Sequence, residues 1–375
     1  MMPVPITHTI PLATNESITY TLRSLSNDQD ITKWTDFCAS IFSYKDNPPP
    51  PSYFSRHFYN DPRRDLDLVR VLVYTNEDGQ EEIVSSVRIF RRSLTIPGGT
   101  SIEAGGIGEV CTSPNHQRRG LSKILLNDAL EIMRGGDSGM SCSLLHASPA
   151  FRPVYAKVGY ECVTSRWSVL DVKLDQLSTE VKGPYESTCT GETVEWAVRS
   201  AVFPSDTPQL HELHQFYSED RCITVKRTEQ YWNDYVSQEL CETLWVLVKT
   251  TAAAETIVAW LAIRKRGDRY QLREFGHDKS DDFTIAAAMR HLLGKTLQQA
   301  EELSGSISLH LPTVVLDDIK ESEGDCSFMD VQTATEENDD GWMYMNFDAT
   351  KSNVLDLARR EDDRIDHLVW PTDSF

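Results

Sequence analysis

The sequence predicts an α/β (α+β) fold: a mixed central sheet with helices on it, followed by a degenerate copy of the same arrangement. Three observations carry this. A meander of three strands runs into one strongly amphipathic helix between residues 66 and 133. The same order, three strands and then a long helix, returns in weaker form between 243 and 303. The 375 residues exceed one ordinary domain, and two of roughly 180 residues each are the natural division. Domains of 1–180 and 181–375 follow, with "KGPYESTCTGE" (182–192) as the linker between them.

In the first half, "ITYTLRSL" (18–25) reads as a strand. Ile31, Trp34, Phe37, Cys38, Ile41 and Phe42 recur at helical spacing across 28–42, with Asp28 or Asp30 as N-cap. "DNPPPPS" (46–52) is a stiff extended loop, because proline fixes φ and removes a donor, and "YFSRHFYND" after it is a short helix. Strands at 66–74 and 82–90 flank a turn at Asp78-Gly79; "RSLTI" leads to a Pro97-Gly98-Gly99 turn, and 101–112 returns. Leu121, Ile124, Leu125, Ala129, Ile132 and Met133 then mark a helix that Gly135-Gly136 stops. A strand at 140–147, a short helix at 148–160 and a strand at 161–172 close the half.

The second half offers helices at 210–219 and 229–240, strands at 243–250, 256–265 and 270–278, a helix at 283–303 and a strand at 306–312. Trp232, Tyr235, Trp245 and Trp260 are expected in its core. The acidic segment 320–341 reads as a mobile loop.

Charge and composition limit the functions. With 57 acidic against 37 basic residues the net charge is -20, so nucleic acid is not an expected partner and a cationic ligand is easier to accommodate. "MMPVPITHTIPLATNES" has no basic leader, and the longest apolar runs fall short of a membrane span. The eight cysteines form no C-x-x-C pair, which suits reduced thiols in the cytoplasm or nucleus. "HELH" (211–214) sets two histidines three apart without further ligands, so no metal is expected.

One stretch departs from the acidic background: "NHQRRGLSKILLNDALEIM" (115–133). A glycine-bearing turn that opens a helix directs unpaired backbone N–H groups one way. The helix dipole adds positive partial charge there, and Arg118 and Arg119 add full charge. Gly120 lets the backbone come close to a phosphate. The turn is neither a Walker loop nor a Rossmann turn, since G-K-S/T and G-x-G-x-x-G are both missing.

These residues resemble the GCN5-related N-acetyltransferase family, whose signature is a strand, then Q/R-x-x-G-x-G/A, then a helix. Here the signature is Gln117-Arg118-Arg119-Gly120-Leu121-Ser122, with serine at its last position and Pro114 ahead of it. A second signature, tyrosine then x-x-x-G-F/Y, is matched by Tyr155 to Gly159-Tyr160, and the resemblance spans 18–172. It implies that Val110, Cys111 and Thr112 line the pantetheine arm of acetyl-CoA and that Gln117, Arg118, Arg119, Gly120, Leu121, Ser122 and Lys123 hold its pyrophosphate. It also implies that Tyr155 protonates the leaving thiolate. The two-part layout looks like the fungal lysine N6-acetyltransferase type, and "SLLHASPAFRPVYAKVGY" resembles Eis-like enzymes, which use their C-terminal carboxylate, here that of Phe375, as base. Glu109 and His146 flank the expected cleft as further candidates for base or substrate contact.

The resulting expectation is acetyl transfer from acetyl-CoA to a small cationic amine such as L-lysine. A protein lysine or N-terminus as acceptor, or a non-catalytic CoA-binding module, are the alternatives.

Overall fold

The computed structural model describes residues 5–11, 17–44, 48–96, 99–135, 138–177, 185–186, 193–219, 221–279, 283–298, 305–322, 324–347, 354–358 and 368–373. The first half begins with strands β1 (Ile6–Pro11) and β2 (Ser17–Ser24), then helices α1 (Asp28–Ile41) and α2 (Pro51–Tyr59). The antiparallel strands β3 (Val69–Thr75), β4 (Glu81–Ile96) and β5 (Thr100–Thr112) follow, then α3 (Leu121–Arg134), β6 (Cys142–His146), α4 (Arg152–Ala156) and the short β7 (Glu161–Cys162). β1 lies outside the sequence expectation; it is an edge strand with mostly exposed side chains, so no apolar pattern announces it.

After β8 (Trp167–Lys173) come β9 (Tyr185–Glu186), β10 (Thr193–Ser200), α5 (Thr207–Ser218) and β11 (Thr224–Val225). α6 (Glu229–Tyr231), a π-helical turn (Trp232–Val236) and α7 (Ser237–Leu240) form one helical stretch. The second meander is β12 (Leu244–Thr250), β13 (Glu255–Arg266) and β14 (Arg269–His277), followed by α8 (Ile285–Leu297), β15 (Ser306–Pro312), α9 (Thr313–Glu321), β16 (Thr335–Glu336) and β17 (Trp342–Asn346).

The two halves share one topology. In each, an antiparallel meander is followed by a helix and a strand parallel to the third meander strand. β5 pairs β6 from Ala104↔Cys142 to Gly106↔Leu144, and β14 pairs β15 from Arg269↔Ser308 to Gln271↔His310. The second half is thus a degenerate copy of the first, as the sequence order suggested.

The last strands are exchanged. β17, from the end of the chain, lies between β6 and β7 in the first sheet. β8, from the first half, pairs along β15 in the second sheet. The single strand expected at 161–172 is therefore two pieces in two sheets. The acidic segment expected as a loop is also partly tied down: β16 pairs β8, and Asp339 bridges Ser165. Burial drives the exchange, because Trp342, Met343, Tyr344 and Met345 are all buried in the first sheet.

Helices cover both faces of the first sheet, as the period-two alternation of β3 requires. Val71 and Val73 pack with Trp34, Cys38 and Phe58 of α1 and α2, while Leu72 joins Leu121, Leu125 and Leu126 of α3. The N-cap of α1 is Asn27, whose side chain accepts from the Asp30 N–H, and not Asp28 or Asp30. Asp30 instead pairs with Arg23 and Ser26, so its carboxylate is turned out of the helix and toward β2. Pro51 opens α2, where its missing N–H costs no helical bond.

Candidate active site

The site begins where β5 and β6 part. Their ladder ends at Gly106↔Leu144, while β5 runs on to Thr112 with β4 on its other side. Within that continuation Ser86 pairs Cys111 but Arg88 pairs Gly108, so Glu109 and Val110 together oppose Val87 in a bulge. A bulge turns side chains out of the regular alternation. Glu109 takes φ +54, an uncommon conformation for a residue with a side chain.

The carboxylate so placed is 8% exposed. Its Oε1 lies 3.6 Å from Nη1 of Arg88, and its Oε2 has no hydrogen-bond partner among the described residues. Burial raises the Glu109 carboxyl above the usual carboxylate range, and Arg88 opposes this only in part. The bulge and the resulting proton affinity make Glu109 the strongest base candidate near the parting strands.

Around it lies a buried ionic group that the sequence reading missed. Asp61, just after α2, accepts from Arg88 Nη2 at 3.3 Å and Arg92 Nη1 at 3.0 Å. Burial alone would raise Asp61, but Arg92 and Arg88 outweigh it and hold the carboxyl low. His57 of α2 lies in the field of Glu109, and its Nε2 is 2.9 Å from Oε1 of Glu239, on α7 of the second half. Glu239 also pairs with Arg56 at 3.0 Å and Arg273 at 3.6 Å. Burial pushes Glu239 up, but His57, Arg56 and Arg273 together hold it at about 2. One signal was available: Arg88 and Arg92 stand four apart on the same strand face, on either side of Phe90, and two arginines on a buried face need partners inside.

The glycine-arginine turn leaves β5 by a 3-10 turn at Pro114–His116. Arg118 (φ +61) and Gly120 (φ +77) are both left-handed, and Gly120 is the N-cap of α3. A Cβ built on Gly120 would meet nothing within 4 Å, so the backbone faces open space there. Arg118 and Lys123 are exposed and Ser122 is half-buried, while Leu121 is buried in the core. The Arg119 side chain folds back instead: its Nη1 donates to the Tyr20 hydroxyl at 2.6 Å and lies 3.1 Å from His116 Nδ1. Gln117 ties the turn to β5 by donating to the Thr112 carbonyl at 3.3 Å. Open backbone, a helix N-terminus and two exposed cations fit a pyrophosphate.

Across the opening, Tyr155 on α4 is half-buried and packs edge-on against Tyr160 at 6.2 Å between centroids. Burial pushes its phenol up to about 12, with Cys111 of β5 adding to the rise. Cys111 itself is buried with its Sγ 3.9 Å from that of Cys38, and Thr112 Oγ1 is 2.7 Å from Ser85 Oγ. Val110 is half-buried against the α3 side of the core.

His146 sits apart from this group. Its Nε2 is 2.9 Å from Asp339 Oδ2 and its ring stands edge-on to Trp342, so its described contacts fasten the exchanged β17. Phe375 lies outside the described residues. Two positions earlier, Asp373 is bound by Arg227 at 2.7 Å and by the Tyr231 hydroxyl at 3.1 Å.

Residues 21–163 match the acetyltransferase (GNAT) domain family. In fold the chain is similar to a probable N-acyltransferase from Enterococcus faecalis (12% identical, TM-score 0.58, 88% of this chain and 73% of that one). It is similar in the same way to a GCN5-related N-acetyltransferase from Anabaena variabilis (15% identical, TM-score 0.58, 88% and 73%). A third likeness is to Eis1 from Mycobacterium abscessus (14% identical, TM-score 0.51, 87% and 74%). At these identities the likeness is one of fold. No curated protein matches the sequence. Among the described residues no helix is long and apolar enough to cross a membrane.

Proposed function

We propose that the chain transfers the acetyl group of acetyl-CoA to the amine of a small amino compound, with L-lysine the first candidate. The observation that carries this reading is Glu109: a strained, nearly buried carboxylate with one unpartnered oxygen, beside the gap between β5 and β6. The acetyl donor fits the turn at 117–123, with its pyrophosphate on the backbone N–H groups at the start of α3 and on Arg118 and Lys123. Val110, Cys111 and Thr112 flank the path of the pantetheine arm.

The acceptor ammonium first loses a proton to Glu109, whose proton affinity burial raises above that of an ordinary carboxylate, which makes it the stronger base. The neutral amine then attacks the thioester carbonyl. The C–S electron pair leaves on sulfur, Tyr155 gives that sulfur its proton, and the second proton shed by the attacking nitrogen returns through solvent to restore the phenol. A phenol held at about 12 is protonated throughout the physiological range, so it is always charged with the proton it must donate. No covalent enzyme intermediate is needed, because the thioester is already activated.

The second half supports a small acceptor. Its Glu239 reaches into the first half at His57 and walls the cleft on that side. Release of free CoA thiol from acetyl-CoA, followed against L-lysine and a panel of other amines, tests the proposal. Thiol release with intact proteins or peptides only would move the acceptor to a protein lysine or N-terminus. No release with any amine, together with retained CoA binding, would make the chain a binding module.

A further inference from the structure

The wall contributed by the second half is cationic. Arg264 of β13 stands opposite Gln271 of β14. Arg273 is the extra residue of the bulge between the pairs Ala262↔Glu274 and Ile263↔Leu272. That bulge turns Arg273 toward Glu239, where Nη1 donates to the backbone carbonyl at 2.9 Å and Nη2 lies 3.6 Å from Oε2. Its Nε is buried without a hydrogen-bond partner among the described residues. Arg264 spends its hydrogen bonds on a neutral group, Gln271 Oε1, from Nε at 3.1 Å and Nη2 at 2.8 Å. Among the described residues no carboxylate pairs with it.

Among the described residues, the nearby anion Glu239 is already shared. Glu239 serves His57, Arg56 and Arg273 at once. Arg264 stands partly exposed; its partial burial first, and then the charges of Arg273 and Arg266, push it down to about 10. Tyr53 lies within electrostatic reach of this arginine pair and of Glu109 alike. The His57 ring lies 4.1 Å from that of Tyr53, and Tyr53 feels both Glu239 and Glu109. A guanidinium fork matches a carboxylate in shape as well as charge.

We propose that Arg264, with Arg273, is the binding site for a carboxylate carried by the acceptor. The acceptor is then an amino acid, its amine at Glu109 and its carboxylate at this pair. A diamine or any other purely cationic amine lacks the second contact. This inference rests on the proposed acyl transfer to a small amine, and it goes further by naming the chemical class and the residues that select it.

The test compares amino acids with the amines formed from them by loss of the carboxylate: L-lysine with cadaverine, L-ornithine with putrescine, L-arginine with agmatine. The full chain should favour the amino acid of the preferred pair by about 10- to 100-fold in kcat/KM, the range for a lost hydrogen-bonded charge contact. Arg264→Gln should erase that preference by raising the KM of the amino acid. Arg264→Lys, which keeps the charge and loses the fork, should fall between. Equal use of both members of every pair, or a preference that survives Arg264→Gln, overturns the site while leaving acyl transfer in place. Should no small amine turn over, the acceptor proposal falls by itself. Calorimetry of L-lysine and cadaverine on the full chain then decides the site without turnover. Tighter binding of L-lysine, lost in Arg264→Gln, supports it, and no difference overturns it.

Discussion

Glu109 and Glu274 stand at the same place in the two halves, each five residues beyond the first pair of its parallel ladder, at Ala104 and Arg269 respectively. Each faces an arginine: Arg88 at 3.6 Å from Glu109, Arg227 at 2.6 Å from Glu274. Their surroundings then diverge. Glu274 and Arg227 are fully buried, and Asp373 closes the pair from a third side. Glu109 keeps an unpartnered oxygen at a strained position. One framework thus holds a strained carboxylate with an oxygen unpartnered among the described residues in one half, and a carboxylate sealed by ion pairs in the other.

The donor turn predicts a binding defect. Gly120→Glu forces a side chain into a left-handed conformation, which costs roughly 1–2 kcal/mol, and sets a carboxylate where the pyrophosphate is expected. A Cβ there meets nothing within 4 Å, so the fold should hold. Calorimetry should find about one equivalent of acetyl-CoA per wild-type chain and no measurable binding to the variant. Two equivalents on wild type would show that the second half is not the silent copy that the sealed Glu274 implies.

Tyr155→Phe keeps the ring against Tyr160 and removes the hydroxyl alone. Turnover should fall by about 100-fold or more, with acetyl-CoA affinity unchanged. A loss of less than about threefold would assign Tyr155 to packing.

Glu109 couples activity to pH and opposes stability. Its folded proton affinity is raised above that of the unfolded chain, so the folded state binds the proton more tightly. Its contribution is greatest at low pH and is lost as pH rises through the folded value. Glu109→Gln should therefore unfold at a higher temperature than wild type near pH 8, and that gain should vanish below about pH 4, under the ordinary carboxyl value. The same variant should lose the acid limb of the rate profile along with most turnover. A variant less stable than wild type at pH 8 would mean that the Arg88 contact outweighs the burial of charge.

The strand exchange predicts that the halves do not separate. A fragment of residues 1–180 lacks β17, which fills the place between β6 and β7. It should show no cooperative thermal transition, whereas the full chain should unfold in one. Co-expressed 1–180 and 181–375 should restore the transition, since each supplies the strand the other needs. A stable, cooperatively folded 1–180 would contradict this.

What the sequence disclosed follows from range. The meander, α3 and the turn at 117–123 depend on neighbours, and periodicity with one glycine was enough to locate them. Within α3 the pattern was shifted slightly: Leu126 and Leu130 are buried where Ile124 and Ile132 are half-buried. The contact between His57 and Glu239 joins residues 182 positions apart, and nothing in either local stretch names the other. The strand character of "WMYMN" is visible from its apolar residues, but its place in the far sheet is not, because local pattern sets a strand's faces and not its partner.

The exchange also orders events during synthesis. β6 is complete at His146, but the strand that covers its free edge begins at Trp342, about 200 residues later. At about 5–20 residues per second, the first sheet waits on the order of 10–40 s with that edge exposed. An uncovered edge beside apolar residues is a template for pairing with another chain. The nascent first half therefore depends on the ribosome finishing its run, and conditions that stall translation between 146 and 342 should yield aggregated chains rather than a soluble fragment.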